Sequence, residues 1–387
     1  MQSDGSTANS DPVDSAHLWS QIKAGAVALW LFLQPWAFRT ACAVAVIVCL
    51  LACFVKFRAE SNLLCVFLAY LPVWLVGAPF LGTFALGIVF ACWRSLLLSM
   101  VMLPAMIGWL GDYRLASASS NDAKNGPDCL TVMTYNRGQG SDTVLGQFAA
   151  TRPPDIVAAQ DAGRRMTRLA ALPETAGLSS QVTSGEFVLL SRWPVLENEP
   201  LFFRQPGESK DRQVGVRSVV NWQDRHVVIY NLHLPTPRDL LSWYARRGTF
   251  LYGIVGLVPG TGLHARHQEY LAPWKARADW LAKLADRIGK EQDPVVLVGD
   301  LNLPPLGRGY QELTRVLQDS HHAAGHGFGC TFPGNSKGLS SRIAPWLRID
   351  QILASPQWKI HSSEVGEELF SQHLPVVVRL ELSKDVQ

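Results

Sequence analysis

Charge is scarce in this 387-residue chain: Asp, Glu, Lys and Arg make up 17% of it, and the formal net charge is +3. So small a balance offers no basic stripe for a nucleic-acid backbone, and nucleic acid is not the favoured partner. The seven cysteines show neither zinc-type spacing nor a disulfide framework. Five of them (Cys42, Cys49, Cys53, Cys65, Cys92) fall in one apolar stretch, and Cys129 and Cys330 alone do not define a redox compartment. The start does not read as a secretory leader either. Met1–Ser15 is polar and Ser/Asp-rich, no basic segment opens it, and apolar sequence begins too late. Residues 1–23 are expected to be a disordered N-terminus.

What is abundant is apolar sequence, concentrated at one end. Residues 24–110 are overwhelmingly apolar. Ala24–Phe38 is short and broken by Gln34-Pro35; it either lies in a membrane interface, with Trp30 and Trp36 at headgroup level, or extends the first span. Ala41–Val55, Leu63–Leu81 and Thr83–Met106 follow as apolar runs, the last interrupted by Arg94. A spanning helix needs about 20 apolar residues, so a membrane region of three transmembrane helices is expected. A soluble helical bundle fits poorly, because the runs lack a polar face. Lys23 and Arg39 before the first span nearly balance Lys56 and Arg58 after it. An odd number of spans with a cytoplasmic N-terminus would put the rest of the chain outside the cytoplasm of a bacterial cell, the orientation favoured here.

Residues 111–128 read as a linker, and 129–387 as a separate domain. Its organising stretch is Pro294–Asn302. Val295-Val296-Leu297-Val298 reads as a buried strand, Gly299 is expected to end it, and Asp300 and Asn302 follow where strand meets loop. Further strands are expected at Leu130–Asn136, Pro154–Asp161, Phe187–Ser191, Val214–Trp222, Arg225–Leu234 and Arg348–Leu353, with a last one entered from Ser371. Helical periodicity runs over Trp274–Ile288, and a helix is expected across Thr143–Thr151. One pattern recurs: Asn136, Asp161, His233, Asp300, Asn302, Asp350 and His373 each stand at a strand edge. Together they offer carboxylates for a hard cation, amides for phosphate oxygens and two imidazoles for proton transfer.

Six blocks in this order resemble the endonuclease/exonuclease/phosphatase (DNase I-like) superfamily: Thr134-Tyr135-Asn136, Pro154 to Asp161, Asn231 to Leu234, Gly299 to Asn302, Arg348 to Ile352 and Ser371 to Val376. Apolar runs ahead of such a domain resemble its membrane-anchored bacterial branch, to which vancomycin/teicoplanin-resistance-type proteins belong. The resemblance implies an α+β four-layer sandwich, two mainly antiparallel sheets face to face with outer helices, and a divalent metal, Mg2+ or Mn2+. It implies Asp161 as metal ligand with Asn136 beside it, and His373 as general base or phosphate-binding imidazole, held by Asp350. Asp300 and Asn302 would align water and phosphate, and His233 would stabilise charge on phosphoryl oxygens. Two positions depart from the pattern. Asp161 replaces the family's glutamate, and Gln372 replaces the aspartate of Ser-Asp-His, which implies one carboxylate fewer near the cation.

An insert, Asp239–His267, is rich in aromatic and aliphatic residues and carries Arg246 and Arg247. It is either a packed lid or oligomer contact, or a loop that dips into a membrane. The function expected is a membrane-anchored phosphohydrolase acting on a lipid-linked phosphate or diphosphate. The alternatives are a nuclease-like phosphodiesterase on a soluble substrate and a catalytically impaired binding module.

Overall fold

The computed structural model describes residues 15–115, 128–138, 145, 149, 153–236, 254–334, 345–369 and 371–383. The first fourteen residues, most of the expected linker, nearly all of the helix expected at Thr143–Thr151, and positions 239–253 of the insert lie outside them. The chain divides into two compact units: Met1–Leu50 with Trp74–Ile107, and Leu51–Val73 with Gly108–Gln387.

Four helices come first among the described residues: α1 (Ser15–Arg58), α2 (Leu63–Ala69), α3 (Val73–Val89) and α4 (Trp93–Gly111). Of the two readings of Ala24–Phe38, the helix α1 matches the second: the stretch runs without a break into Ala41–Val55, with Pro35 inside it, whereas the later boundaries differ from the expected spans. A proline removes one backbone hydrogen bond and kinks a helix, and good helical sequence on both sides carries it onward. The run Leu63–Leu81 is two elements, because Pro72 disfavours helical backbone at Leu71. The run Thr83–Met106 is also divided: Val89 ends α3, Ala91 turns through a positive φ of 46°, and α4 begins at Trp93. Among the described residues, His17–Arg58 and Trp93–Gly111 are long and apolar enough to cross a membrane; Leu75–Val89 is shorter. In the first unit, Ser95 Oγ donates to the Thr83 carbonyl at 3.0 Å and Thr83 Oγ1 lies 2.8 Å from Ser99 Oγ, pinning α3 to α4. Large apolar side chains on these helices face outward, Phe32 at 66% exposure and Leu50 at 65%.

Among the described residues, the second unit carries twelve strands: β1 (Cys129–Asn136), β2 (Ile156–Gln160), β3 (Ser180–Ser184), β4 (Phe187–Ser191), β5 (Val195–Phe203), β6 (Arg212–Trp222), β7 (Arg225–His233), β8 (Val295–Asp300), β9 (Gln318–Asp319), β10 (Asp350–Ala354), β11 (Trp358–Val365) and β12 (Val376–Leu382). They form two six-stranded sheets, ordered β11-β12-β1-β2-β4-β3 and β5-β6-β7-β8-β10-β9. Each is mixed, with one parallel pair, β1/β2 in one and β7/β8 in the other. Strand alternation builds the layers. Val296 and Val298 face a core shared with Val132, Ile156 and Val378 of the other sheet, whereas Val295 and Leu297 face Leu281, Leu284 and Leu313. A third cluster, with Met133, Val157, Leu169 and Val188, covers the outer face of the first sheet. Burial on both faces explains why the Val295–Val298 run is continuously apolar.

Gly299 does not end its strand. It lies inside β8, opposite Leu232 and Gln351, at φ 132°, and a Cβ there would stand 1.9 Å from the Leu232 carbonyl oxygen. Only glycine lets β7 and β8 approach so closely at that angle. The helix expected from Trp274 begins ten residues earlier: it spans His264–Ile288 and takes up the end of the insert, with Pro273 inside it. We label it α6, after the short α5 (Met166–Ala170); α7 (Arg308–Thr314) and α8 (Ser320–Ala324) follow. Four strands, β3, β5, β9 and β11, lie outside the expected set, and all four are sheet edges; β3 and β5 are largely exposed and carry no sustained apolar alternation, and β9 is two residues long.

Candidate active site

The topology brings the strand-edge residues to one place. β1 ends at Asn136, β7 at His233 and β8 at Asp300, while β10 begins at Asp350. In register, Asp300 pairs with His233 on one side and Asp350 on the other. The two sheets are pinned together by amides: Asn136 Nδ2 donates to Asp300 Oδ2 at 2.8 Å, and Gln160 Nε2 to Asn231 Oδ1 at 2.7 Å.

Asp300 is the hub. Its Oδ1 accepts the Asn302 backbone N–H at 2.9 Å, and its Oδ2 accepts the Asn302 amide at 3.1 Å as well as Asn136. His233 Nε2 stands 3.5 Å and His373 Nε2 3.8 Å from the same Oδ2. Burial raises the Asp300 carboxyl above its ordinary range, and the two imidazoles draw it back only in part. His373 Nδ1 lies 2.9 Å from Asp350 Oδ2, its N–H donates to Ser371 Oγ, and its ring packs 5.0 Å from Phe332. Burial alone would lower the His373 pKa, but Asp350 and Asp300 outweigh it and push it up to about 9. Asn302 takes a left-handed backbone at φ 45° and gives its second amide hydrogen to the Leu234 carbonyl at 2.9 Å. With both N–H groups engaged, Oδ1 is its remaining polar atom, an acceptor for water or a cation.

A second acidic group adjoins the first through His233. Asp161, Glu186 and His233 offer ligand atoms within 4.8 Å of one another, as do Asp300, Asp350 and His373. Asp161 stands just past β2 at φ 51°. Glu186 Oε1 is 2.9 Å from His233 Nδ1 and hydrogen-bonds to Asp161. Burial lifts the Asp161 carboxyl above its usual range; on Glu186 the same burial is outweighed by His233, which holds it below. Burial works against the His233 cation too, but Glu186 and Asp300 raise its pKa overall. Two carboxyls in mutual contact share a proton that a hard cation would displace, so this oxygen-rich donor set fits a divalent metal.

Asn136, expected beside Asp161, makes its side-chain bonds to Asp300 and to the Gly138 N–H. Gln372 is exposed and outside both acidic groups. Glu186 is the residue that sequence reasoning passed over. It immediately precedes the buried strand Phe187–Ser191, so the same strand-edge rule would have found it. Glu186→Gln is expected to weaken binding of a divalent cation at this group about 10- to 100-fold, read as a shifted midpoint in a metal titration of thermal stability.

The endonuclease/exonuclease/phosphatase family profile matches residues 134–373, and the chain belongs to that family. The family comprises phosphoesterases and nucleases, so hydrolysis is the class of chemistry concerned. Similar solved structures include an endonuclease/exonuclease/phosphatase from Beutenbergia cavernae (19% identity, 66% of this chain, 72% of that one, TM-score 0.43). Others are a 3'-5' exonuclease from Neisseria meningitidis (19%, 66% and 100%, 0.44) and a mannosyl-6-phosphatase from Bacteroides thetaiotaomicron (16%, 65% and 99%, 0.42). No curated protein matches the chain.

Proposed function

We propose that this protein is a membrane-anchored, divalent-metal-dependent phosphohydrolase acting on a lipid-linked phosphate or diphosphate. The observation that carries the hydrolase reading is the convergence of two histidines, two asparagines and a second aspartate, Asp350, around the buried Asp300 carboxylate. The membrane reading rests on the two long apolar helices and their outward-facing side chains, and agrees with the resemblance to the membrane-anchored branch. Exposed Leu257 and Val258 ahead of α6 add apolar surface suited to a lipid tail.

Asp161 and Glu186 would hold the cation, which when bound would offset negative charge on the phosphate. Asp300, with its raised pKa, orients a water molecule and takes its proton as the water oxygen bonds to phosphorus and the leaving oxygen departs. His233 and His373, both held toward the cationic form, meet the phosphoryl oxygens. His373 at neutral pH is thereby an imidazolium, the second of the two roles the resemblance allows.

The test is hydrolysis by the full-length protein in detergent. Polyprenyl diphosphate, phospholipid and DNA are offered separately with millimolar Mg2+. Release of phosphate or headgroup from a lipid, abolished by EDTA and restored by Mg2+, is expected. Cleavage of DNA alone would favour the soluble-substrate reading; inertness toward all three would favour a binding module.

A further inference from the structure

Residues 59–72, between two apolar helices, read in sequence as membrane-associated. In the second unit they instead meet the loop after β8. Leu63 and Val66 of α2 pack in one apolar cluster with Tyr270, Leu271 and Trp274 of α6. Tyr70 stacks edge-on against Trp274, with ring centroids 5.5 Å apart. Its hydroxyl donates to the Asn302 carbonyl at 2.7 Å. Arg277 Nη1 donates to the same oxygen at 3.2 Å, and Nη2 donates to the Tyr70 hydroxyl at 3.1 Å. The guanidinium lies 4.6 Å over the Trp274 ring.

Arg277 is buried, and so is the group facing its charge. Glu60 Oε1 stands 3.8 Å from Arg277 Nη2, and Glu60 Oε2 accepts the Gly309 N–H at 3.0 Å. The polarity of the chain of bonds is determined. Arginine can only donate, so the Tyr70 oxygen accepts from it and its hydrogen points to Asn302. Burial pushes the Tyr70 hydroxyl up to about 12, so it keeps that hydrogen at neutral pH.

What this chain of bonds holds is a strained residue. Asn302 has a left-handed backbone, and such a conformation persists only where its surroundings over-determine it. Its N–H and amide are fixed on Asp300 and Leu234, and its carbonyl is fixed from the other side by Tyr70 and Arg277.

We propose that Tyr70, with Arg277 and Glu60 behind it, is a positioning residue for the active site: the segment between α1 and α3 fixes the Asn302 carbonyl and thereby the geometry of Asp300 and Asn302. The catalytic consequence rests on the hydrolase reading above; the structural one does not. Neither residue 60 nor residue 70 lies within the 134–373 span that the family profile matches, so this support comes from outside the family's shared core.

The experiment compares full-length parent, Tyr70→Phe and Val66→Ala in detergent. Val66→Ala loosens the same α2–α6 packing without touching the carbonyl. Hydrogen–deuterium exchange at the Asn302 amide is expected to be about ten-fold faster in Tyr70→Phe and parental in Val66→Ala. With a hydrolysed substrate in hand, Tyr70→Phe is expected to lower kcat about ten-fold at an unchanged KM, while Val66→Ala lowers the thermal midpoint and leaves kcat alone. Parental exchange at Asn302 in Tyr70→Phe overturns the inference, as does equal acceleration in both variants. A parent inert toward every phosphoester refutes the hydrolase reading alone, because the exchange measurement still decides the role of Tyr70.

Discussion

Asp300→Asn is expected to lower kcat/KM by a factor of about 1,000 or more, the largest effect of any single replacement here. The carboxylate is the group on which four other side chains of the site converge. It receives the Asn136 amide from the opposite sheet, the backbone and side-chain N–H groups of Asn302, and the approach of both imidazoles. An asparagine keeps the size of the group but loses its charge, its proton-accepting oxygen and one acceptor position. The new amide hydrogens would face Asn136 and Asn302, which are donors themselves, so those side chains must reorient. The check is steady-state kinetics on a phosphoester that the parent hydrolyses, with circular dichroism showing that the variant is folded. Activity within ten-fold of the parent would remove Asp300 from the chemistry.

Asp350→Asn is expected to be next in size, about 100-fold or more in kcat, and to change the pH profile in a defined direction. In the parent, Asp350 and Asp300 hold His373 protonated up to about pH 9. If the imidazolium is the working form, activity falls as pH rises through about 9. With Asp350 neutral, the proton is held less tightly, and this falling limb moves to lower pH. A limb that rises near pH 9 in the parent would instead make His373 the base. Stability follows the same sign in metal-free protein. The raised pKa contributes stability fully below the ordinary histidine value of 6.5, and this is lost as pH climbs through about 9. His373→Asn should therefore flatten the decline of the thermal midpoint across that window.

Much of this site was legible in one dimension because its residues obey one rule. Asn136, His233, Asp300 and Asp350 terminate apolar strands, and a strand buried on both faces places most of its polar groups at its ends, where each does not need a partner inside the core. The run Val295–Val298 could scarcely be anything but a core strand, and the order of six short blocks pointed to the family that the profile match then showed. Glu186 escaped although it too stands at a strand edge, because its tie to the site, the 2.9 Å approach to His233, joins positions far apart in the chain. Strands β3 and β5 escaped because edge strands exposed to water carry no apolar alternation.

Hydropathy read the first hundred residues less well, for a physical reason. An apolar side chain reports that it leaves water, not what it enters. Leu63 and Val66 have the composition of a membrane span and pack on Tyr270 and Trp274 instead. Composition likewise cannot say that Gly299 stands inside a strand, since the close approach of the Leu232 carbonyl comes from a partner strand more than sixty residues away. Strand composition, strand ends and the identity of the polar groups were thus written in the linear order of residues. Which carboxylate stands at the centre, which acid faces His233 and which tyrosine holds Asn302 were decided by sheet register and by packing between distant segments, because hydrogen bonds act over about 3 Å of space regardless of separation along the chain.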